Sequence, residues 1–296
     1  MAFIRPFSTL RHVASYLPLA PTLRAMNVNV SGSSARPLLV QPRYLSASSS
    51  SLFTSGKRPG VDKDCEFGKS KDIDDLLAGN KAWVAEQKKN DPDFFKRLEQ
   101  GQEPHFLYIG CSDSRVPANQ ITGTHPNEMF VHRNVANLVV GTDLNFLSVL
   151  HYAVDVLKVP HIIVCGHYDC GGVRGAMKKH DHGIVENWLR NIRDVYRLHS
   201  SELDAITDPE QRHRRLVELN VREQCLNIFK TGIVQRRRME TSLNKDGKYD
   251  FCTPRIHGFV YEPGNGLLNK LDINWKSEVE AYRHVYDLYE APPSKS

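Results

Sequence analysis

Four short apolar runs, at positions 105–111, 129–132, 162–165 and 256–261, are separated by stretches whose apolar residues recur at helical spacing. Runs this short suit strands, whereas 144–157, 184–199 and 209–238 carry the i, i+3, i+4 pattern of helices. Strands alternating with helices admit few architectures, because a helical crossover returns the next strand parallel to the last. The expected fold is therefore α/β, a mostly parallel β-sheet flanked by helices. Ahead of the sheet, Ile73, Leu76, Leu77, Ala82, Trp83 and Ala85, then Phe94, Phe95 and Leu98, predict an N-terminal helical arm. An arm of this kind needs another surface to pack on. Beyond the sheet, 267–275 reads as a further strand and 279–289 as a closing helix.

The first 65 residues have a different character. No acidic residue precedes Asp62, while Arg5, Arg11, Arg24, Arg36 and Arg43 stand among serines and spaced apolar residues. That is the composition of an organellar transit peptide, and Arg43-Tyr44-Leu45-Ser46 resembles an arginine-directed mitochondrial processing site. Residues 1–45 are expected to be a mitochondrial transit peptide, 46–65 a disordered linker, and 66–296 the folded domain with its arm. The matrix is the expected location, with a plastid as the alternative.

Net charge follows from the same segment. The chain carries 39 Lys and Arg against 34 Asp and Glu, and without the five early arginines the two signs balance. The folded part therefore shows no basic footprint for nucleic acid; its one basic run, Arg236-Arg237-Arg238, reads as a solvated helix face. No uninterrupted apolar run approaches the roughly 20 residues a membrane-spanning helix needs. Neither nucleic acid nor membrane insertion is expected.

Six cysteines, at 65, 111, 165, 170, 225 and 252, are far apart in a chain well supplied with apolar residues, so reduced thiols are expected rather than a disulfide framework. Chemistry gathers where two strands end. Cys111-Ser112-Asp113-Ser114-Arg115 follows the run ending at Ile109, and Cys165-Gly166-His167-Tyr168-Asp169-Cys170-Gly171-Gly172 follows Ile162-Ile163-Val164. Ligands of open α/β sheets bind beyond the carboxyl ends of strands. His167 and Cys170 flank a tight turn, and a helix starting near Cys170 would favour its thiolate form. With Cys111 from the neighbouring strand they form a two-cysteine, one-histidine set, which leaves a fourth tetrahedral position open. Cys165, inside the apolar run, is expected to be core.

Three blocks, Cys111 to Val116, His132-Arg133-Asn134-Val135-Ala136-Asn137, and Cys165-Gly166-His167 through Cys170-Gly171-Gly172, together resemble the β-class carbonic anhydrases in order and spacing. The resemblance extends from about Gln102 to Tyr261 and implies the β-carbonic anhydrase fold. It implies zinc on Cys111, His167 and Cys170, a catalytic dyad of Asp113 and Arg115, and reversible hydration of CO2 to bicarbonate and a proton. In a closed state Asp113 would itself become a metal ligand. Gln102, Phe130, Val135 and Tyr152 match positions lining the substrate pocket, and pairing through the arm implies a homodimer or homotetramer. Tyr108, Arg133 and Tyr261 correspond to a regulatory bicarbonate site, with Tyr108 in place of the usual tryptophan. Two alternatives are a related zinc hydrolase of CS2 or COS on the same scaffold, and a non-catalytic zinc or thiol module with a closed site.

Overall fold

The computed structural model of the chain describes residues 72–243 and 251–289. The expected transit peptide, linker and Cys65 lie outside the described residues. The arm is formed by helices α1 (Ile73–Asn90) and α2 (Phe94–Glu99). α1 starts with a capping box in which the Asp72 and Asp75 side chains each accept from the other's backbone N–H, satisfying donors that a helix start leaves unpaired. Neither helix buries a residue within the protomer.

The sheet has strand order β2-β1-β3-β4-β5, from β1 (Phe106–Cys111), β2 (Met129–Asn134), β3 (His161–His167), β4 (Arg255–Glu262) and β5 (Leu267–Lys270). The first four are mutually parallel and β5 returns antiparallel on β4. Among the described residues seven further α-helices flank or connect the strands: α3 (Ala118–Thr122), α4 (Leu144–His151), α5 (Gly171–Ala176), α6 (Ile184–Leu198), α7 (Ser200–Ala205), α8 (Pro209–Phe229) and α9 (Gly232–Leu243). α10 (Trp275–Tyr286) closes the described chain.

α8 anchors the core. Asp208 caps its start and Pro209 occupies its first turn, where a missing N–H costs nothing. Its Leu216, Val217, Val221, Cys225 and Ile228 share one buried cluster with Ile109, Ile162, Val164 and Val260 of the sheet. The approach is close: a Cβ on Gly166 would lie 2.6 Å from Val221 Cγ2, and one on Gly258 would lie 3.1 Å from Val221 Cγ1. Val221 thus fills a notch made by glycines on two adjacent strands.

Buried amides on the same helix hold the loop after β2. Gln224 Oε1 accepts from the Val139 N–H at 2.8 Å, and Asn220 Nδ2 donates to the Ala136 carbonyl at 3.1 Å. Gln224 Nε2 donates to Asn220 Oδ1 at 3.0 Å. Ala136 and Asn137 are both left-handed, with φ of 63° and 51°, a conformation that costs a non-glycine residue energy and persists where surroundings enforce it.

Several expectations are corrected. The helical pattern 209–238 is two helices, parted at Lys230-Thr231, where Thr231 Oγ1 bonds back to the Ile228 carbonyl. The pattern 144–157 is helical as expected, with α4 continuing into a wider-wound segment over Tyr152–Val156. Of 267–275 only Leu267–Lys270 is strand, and Trp275 already begins α10. The run Arg236-Arg237-Arg238 is not a freely solvated face: Arg236 pairs with Asp155 at 2.7 Å, and half-buried Arg238 donates to the Pro254 carbonyl at 2.7 Å. Among the described residues no helix is long and apolar enough to cross a membrane.

Candidate metal centre

β1 and β3 are neighbours in parallel register from Phe106↔His161 to Gly110↔Cys165, so their last residues, Cys111 and His167, emerge at the same end of the sheet. Asp169, left-handed at φ 58°, then turns the chain back, and Cys170 caps the start of α5. The ligand atoms of Cys111, His167 and Cys170 all lie within 4.8 Å of one another and all three residues are buried. The two sulfurs are 3.9 Å apart.

His167 is held in one tautomer. Its Nδ1–H donates to the Tyr168 carbonyl at 2.9 Å, leaving the lone pair on Nε2. That Nε2 is buried with no hydrogen-bond partner, which is unusual for a buried polar atom. The thiols behave as a pair sharing one proton: the hydrogen bond from the Cys170 thiol holds Cys111 below its ordinary value, while Cys111 and burial hold Cys170 well above its own. The backbone N–H groups of Val173 and Gly172 pull Cys170 toward thiolate but do not prevail. Both sulfurs ionise together only around a cation, and two thiolates with an imidazole are a donor set for a borderline-soft divalent metal. The residues fit a metal.

Beside this cluster, Arg115 grips Asp113 with two prongs, Nε to Oδ1 at 3.0 Å and Nη2 to Oδ2 at 2.8 Å, and its backbone N–H adds a bond to Oδ1 at 2.9 Å. The guanidinium pulls the Asp113 carboxyl down to about 2. Asp113 Oδ2 lies 3.8 Å from His167 Nε2, so an ionised carboxylate faces the orphaned imidazole nitrogen. Arg133 fixes the turn from behind, its Nε donating to the Cys111 carbonyl at 2.8 Å and its Nη2 to the Asp113 carbonyl at 2.6 Å.

A network that the motifs do not announce continues outward from Arg115. Its Nη1 reaches Asp169 Oδ2 at 3.3 Å, and Asp169 Oδ1 accepts from Arg174 at 3.0 Å. Arg174 also clasps Glu210 with bonds of 2.7 and 2.9 Å. His213, buried and kept neutral by desolvation, donates through Nε2 to the Cys170 carbonyl at 3.3 Å. Asp169 stands inside the second motif and offered a signal, whereas Arg174, Glu210 and His213 act through tertiary contacts that spacing does not encode.

The expected pocket residues do not all meet. Val135 lies against α5, its Cγ1 3.0 Å from where a Cβ on Gly172 would be. Phe130 and Tyr152 stack on each other at 5.6 Å, but Phe130 is four strand residues, about 13 Å, back from Asn134, which pairs with Cys111. Gln102 lines a separate cavity of about 360 Å³ with His105 and Lys158. Cys165 is buried at 1% exposure in the second apolar cluster with Tyr108, and burial raises it to about 11; it is core, as expected. Tyr108 is equally buried, its ring folded over Gly110, and its hydroxyl has no hydrogen-bond partner.

The sequence profile of the carbonic anhydrase family matches residues 106–268. A carbonic anhydrase of Emericella nidulans is 50% identical over 215 residues, covering 73% of this chain and 90% of that one. A tetrameric β-carbonic anhydrase from Sordaria macrospora superposes with a TM-score of 0.62 at 38% identity, covering 68% of this chain and 96% of that one. The β-carbonic anhydrase of Coccomyxa, solved in complex with acetazolamide, superposes with a TM-score of 0.63 at 35% identity over 72% and 92% of the two chains. With two buried cysteines and a histidine converging where two parallel strands end, and with relatives matching throughout the sheet that brings them together, this chain belongs to the β-class carbonic anhydrases, enzymes that interconvert CO2 and bicarbonate.

Proposed function

We propose that the metal is zinc, held by Cys111, His167 and Cys170, and that Asp113 and Arg115 form the catalytic dyad. The observation that carries this is the convergence of two thiols and a buried, unpartnered imidazole nitrogen on one point that an ionised carboxylate faces. Three protein ligands leave one position open to substrate chemistry. Zinc bound there supplies a Lewis acid that makes a nucleophile available near neutral pH. Asp113, held ionised, can only accept hydrogen bonds, so it orients a proton-bearing nucleophile through Oδ2 while Arg115 occupies its remaining lone pairs. Asp113 is also the one carboxylate within 4 Å of His167 Nε2 among the described residues, which suits it to the metal-ligand role of a closed state once Arg115 lets go.

CO2 carries no charge, so an apolar wall is enough to receive it, and Val135 supplies part of one. In this reading a second copy of the chain supplies Phe130, Tyr152 and Gln102, which lie apart from the metal ligands within one protomer. Support comes from the exposed apolar residues that an isolated protomer leaves in water: Ile73 at 69%, Leu76 at 58% and Leu77 at 55% on α1, and Tyr152 at 43%. A homodimer or homotetramer built through the arm would cover them. Residues 1–45 act as a mitochondrial transit peptide, 46–65 as a linker and 66–296 as the catalytic domain, on the strength of the acid-free, arginine-bearing composition before Asp62.

The zinc assignment is tested by metal analysis of protein beginning near Ser46. One zinc per chain is expected in the parent, and Cys111→Ser, His167→Ala and Cys170→Ser are each expected to lose it. Full occupancy in any one of the three contradicts this ligand set.

A further inference from the structure

The arginine run at the middle of α9 is unevenly satisfied. Arg236 pairs with Asp155 at 2.7 Å and Arg237 with Glu240 at 3.7 Å, but among the described residues Arg238 meets no carboxylate and donates to the carbonyls of Pro254, at 2.7 Å, and Cys252, at 3.4 Å. Burial and the nearby Arg255 cation work against its charge, and Cys252 offsets them only in part. The Arg255 guanidinium lies 3.6 Å over the Phe251 ring. Lys270 stands close enough to His257 to oppose its protonation, and His257 is pushed down to about 4, chiefly by burial, so it is neutral near pH 7. Among the described residues no ion pair joins Arg238, Arg255 or Lys270 to a carboxylate.

These three cations line one cavity of about 340 Å³, in which Asp272 is the single acidic residue. Phe229, Trp275 and Val279 add apolar lining. A half-buried guanidinium without a counter-charge is costly, since the low-dielectric surroundings remove hydration and return only dipoles. A bound anion offsets that cost, and a carboxylate matches the guanidinium fork. None of the metal ligands lines this cavity. At one end Arg255 pairs with His161 at the start of β3, six strand residues or about 20 Å before the ligand His167; at the other, Lys270 pairs with Phe259, which is in register with Cys165.

We propose that this cavity is a binding site for a small organic carboxylate, with the carboxylate group between Arg238, Arg255 and Lys270 and an apolar body against Phe229 and Trp275. The site is independent of the zinc assignment.

The protein has three tryptophans, and two of them report on different places. Trp275 lines the cavity, while Trp188 donates through Nε1 to the Val135 carbonyl near the metal ligands. The metal-loaded protein is labelled with 5-fluorotryptophan, its resonances are assigned by single Trp→Phe variants, and it is titrated with benzoate and, separately, with uncharged benzamide. Benzoate is expected to shift the Trp275 resonance saturably and benzamide to leave it unmoved. Arg255→Gln and Lys270→Gln, both at exposed positions, are expected to weaken benzoate by up to about fivefold each, the scale of a solvent-screened charge contact. Arg238→Gln is expected to abolish the response, and the two exposed variants keep the test decisive if that replacement disturbs the 252–254 turn. A Trp275 resonance indifferent to benzoate, an equal response to benzamide, movement of Trp188 alone, or unchanged affinity in both exposed variants overturns the proposal.

Discussion

Gly166 and Val221 carry a prediction that joins packing to the metal centre. A Cβ at Gly166 would stand 2.6 Å from Val221 Cγ2, nearer than carbon atoms approach without one of them moving, and Gly166 immediately precedes His167. At Gly258 the corresponding distances are 3.1 Å to both Val221 Cγ1 and Ile273 Cδ1, tight but tolerable with small shifts. Overpacking of this kind costs about 1–3 kcal/mol, and for a domain of this size each kcal/mol lowers Tm by about 2–4 °C. Gly166→Ala is therefore expected to lower Tm by roughly 2–12 °C and Gly258→Ala by less. Val221→Ala opens the notch on both strands. Alone it is destabilising, but combined with Gly166→Ala it should give a loss smaller than the sum, because one replacement vacates the space the other fills. Thermal melts of the four metal-loaded proteins of the cycle, and of Gly258→Ala beside them, at one protein concentration supply the comparison. Strict additivity, or a Gly258→Ala loss larger than that of Gly166→Ala, would show that the helix–sheet approach does not limit this site.

Asp113→Ala and Arg115→Ala are each expected to slow turnover strongly with zinc retained, and the double variant to lose much less than the product, since the two side chains act as a unit; multiplying losses would count against a dyad. Because Arg115 holds the Asp113 carboxyl at about 2, the stabilisation it brings is complete above the ordinary carboxylate range near pH 4 and fades as pH falls toward 2. Arg115→Ala should move the Asp113 titration upward, and a carboxyl 13C titration that gives the same midpoint in both proteins would contradict the pairing. Residues 1–60 fused to a fluorescent reporter are expected to enter mitochondria, and a diffuse cytosolic reporter would remove that assignment.

The parts that the sequence made legible are those where local pattern and tertiary structure coincide. β1 and β3 end in the motifs that carry Cys111 and His167, so finding the strands also located the ligands. Asp113 and Arg115 are two residues apart and bond within one turn. Arg238 reads as solvated in the sequence because its partners, the carbonyls of Cys252 and Pro254, lie beyond the helix and are backbone atoms, which leave no trace in composition. The break between α8 and α9 was hidden because apolar residues such as Ile228 and Val234, both buried, continue the periodicity across it. Arg174, Glu210 and His213 are joined to the metal-ligand turn by contacts across three elements, and nothing local distinguishes them from solvated polar residues. Phe130 and Tyr152 belong to the pocket through resemblance alone, and within one protomer they meet each other.

If a metal on Cys111, His167 and Cys170 hydrates CO2 with Asp113 as the orienting base, stopped-flow CO2 hydration by protein starting near Ser46, stripped of metal and then titrated with zinc, will report it. Hydration activity should rise linearly to a break at one zinc per chain, and the Asp113→Ala variant should bind the same zinc with little turnover. Full zinc loading without CO2 hydration, with CS2 consumed instead or with neither substrate turned over, would contradict it.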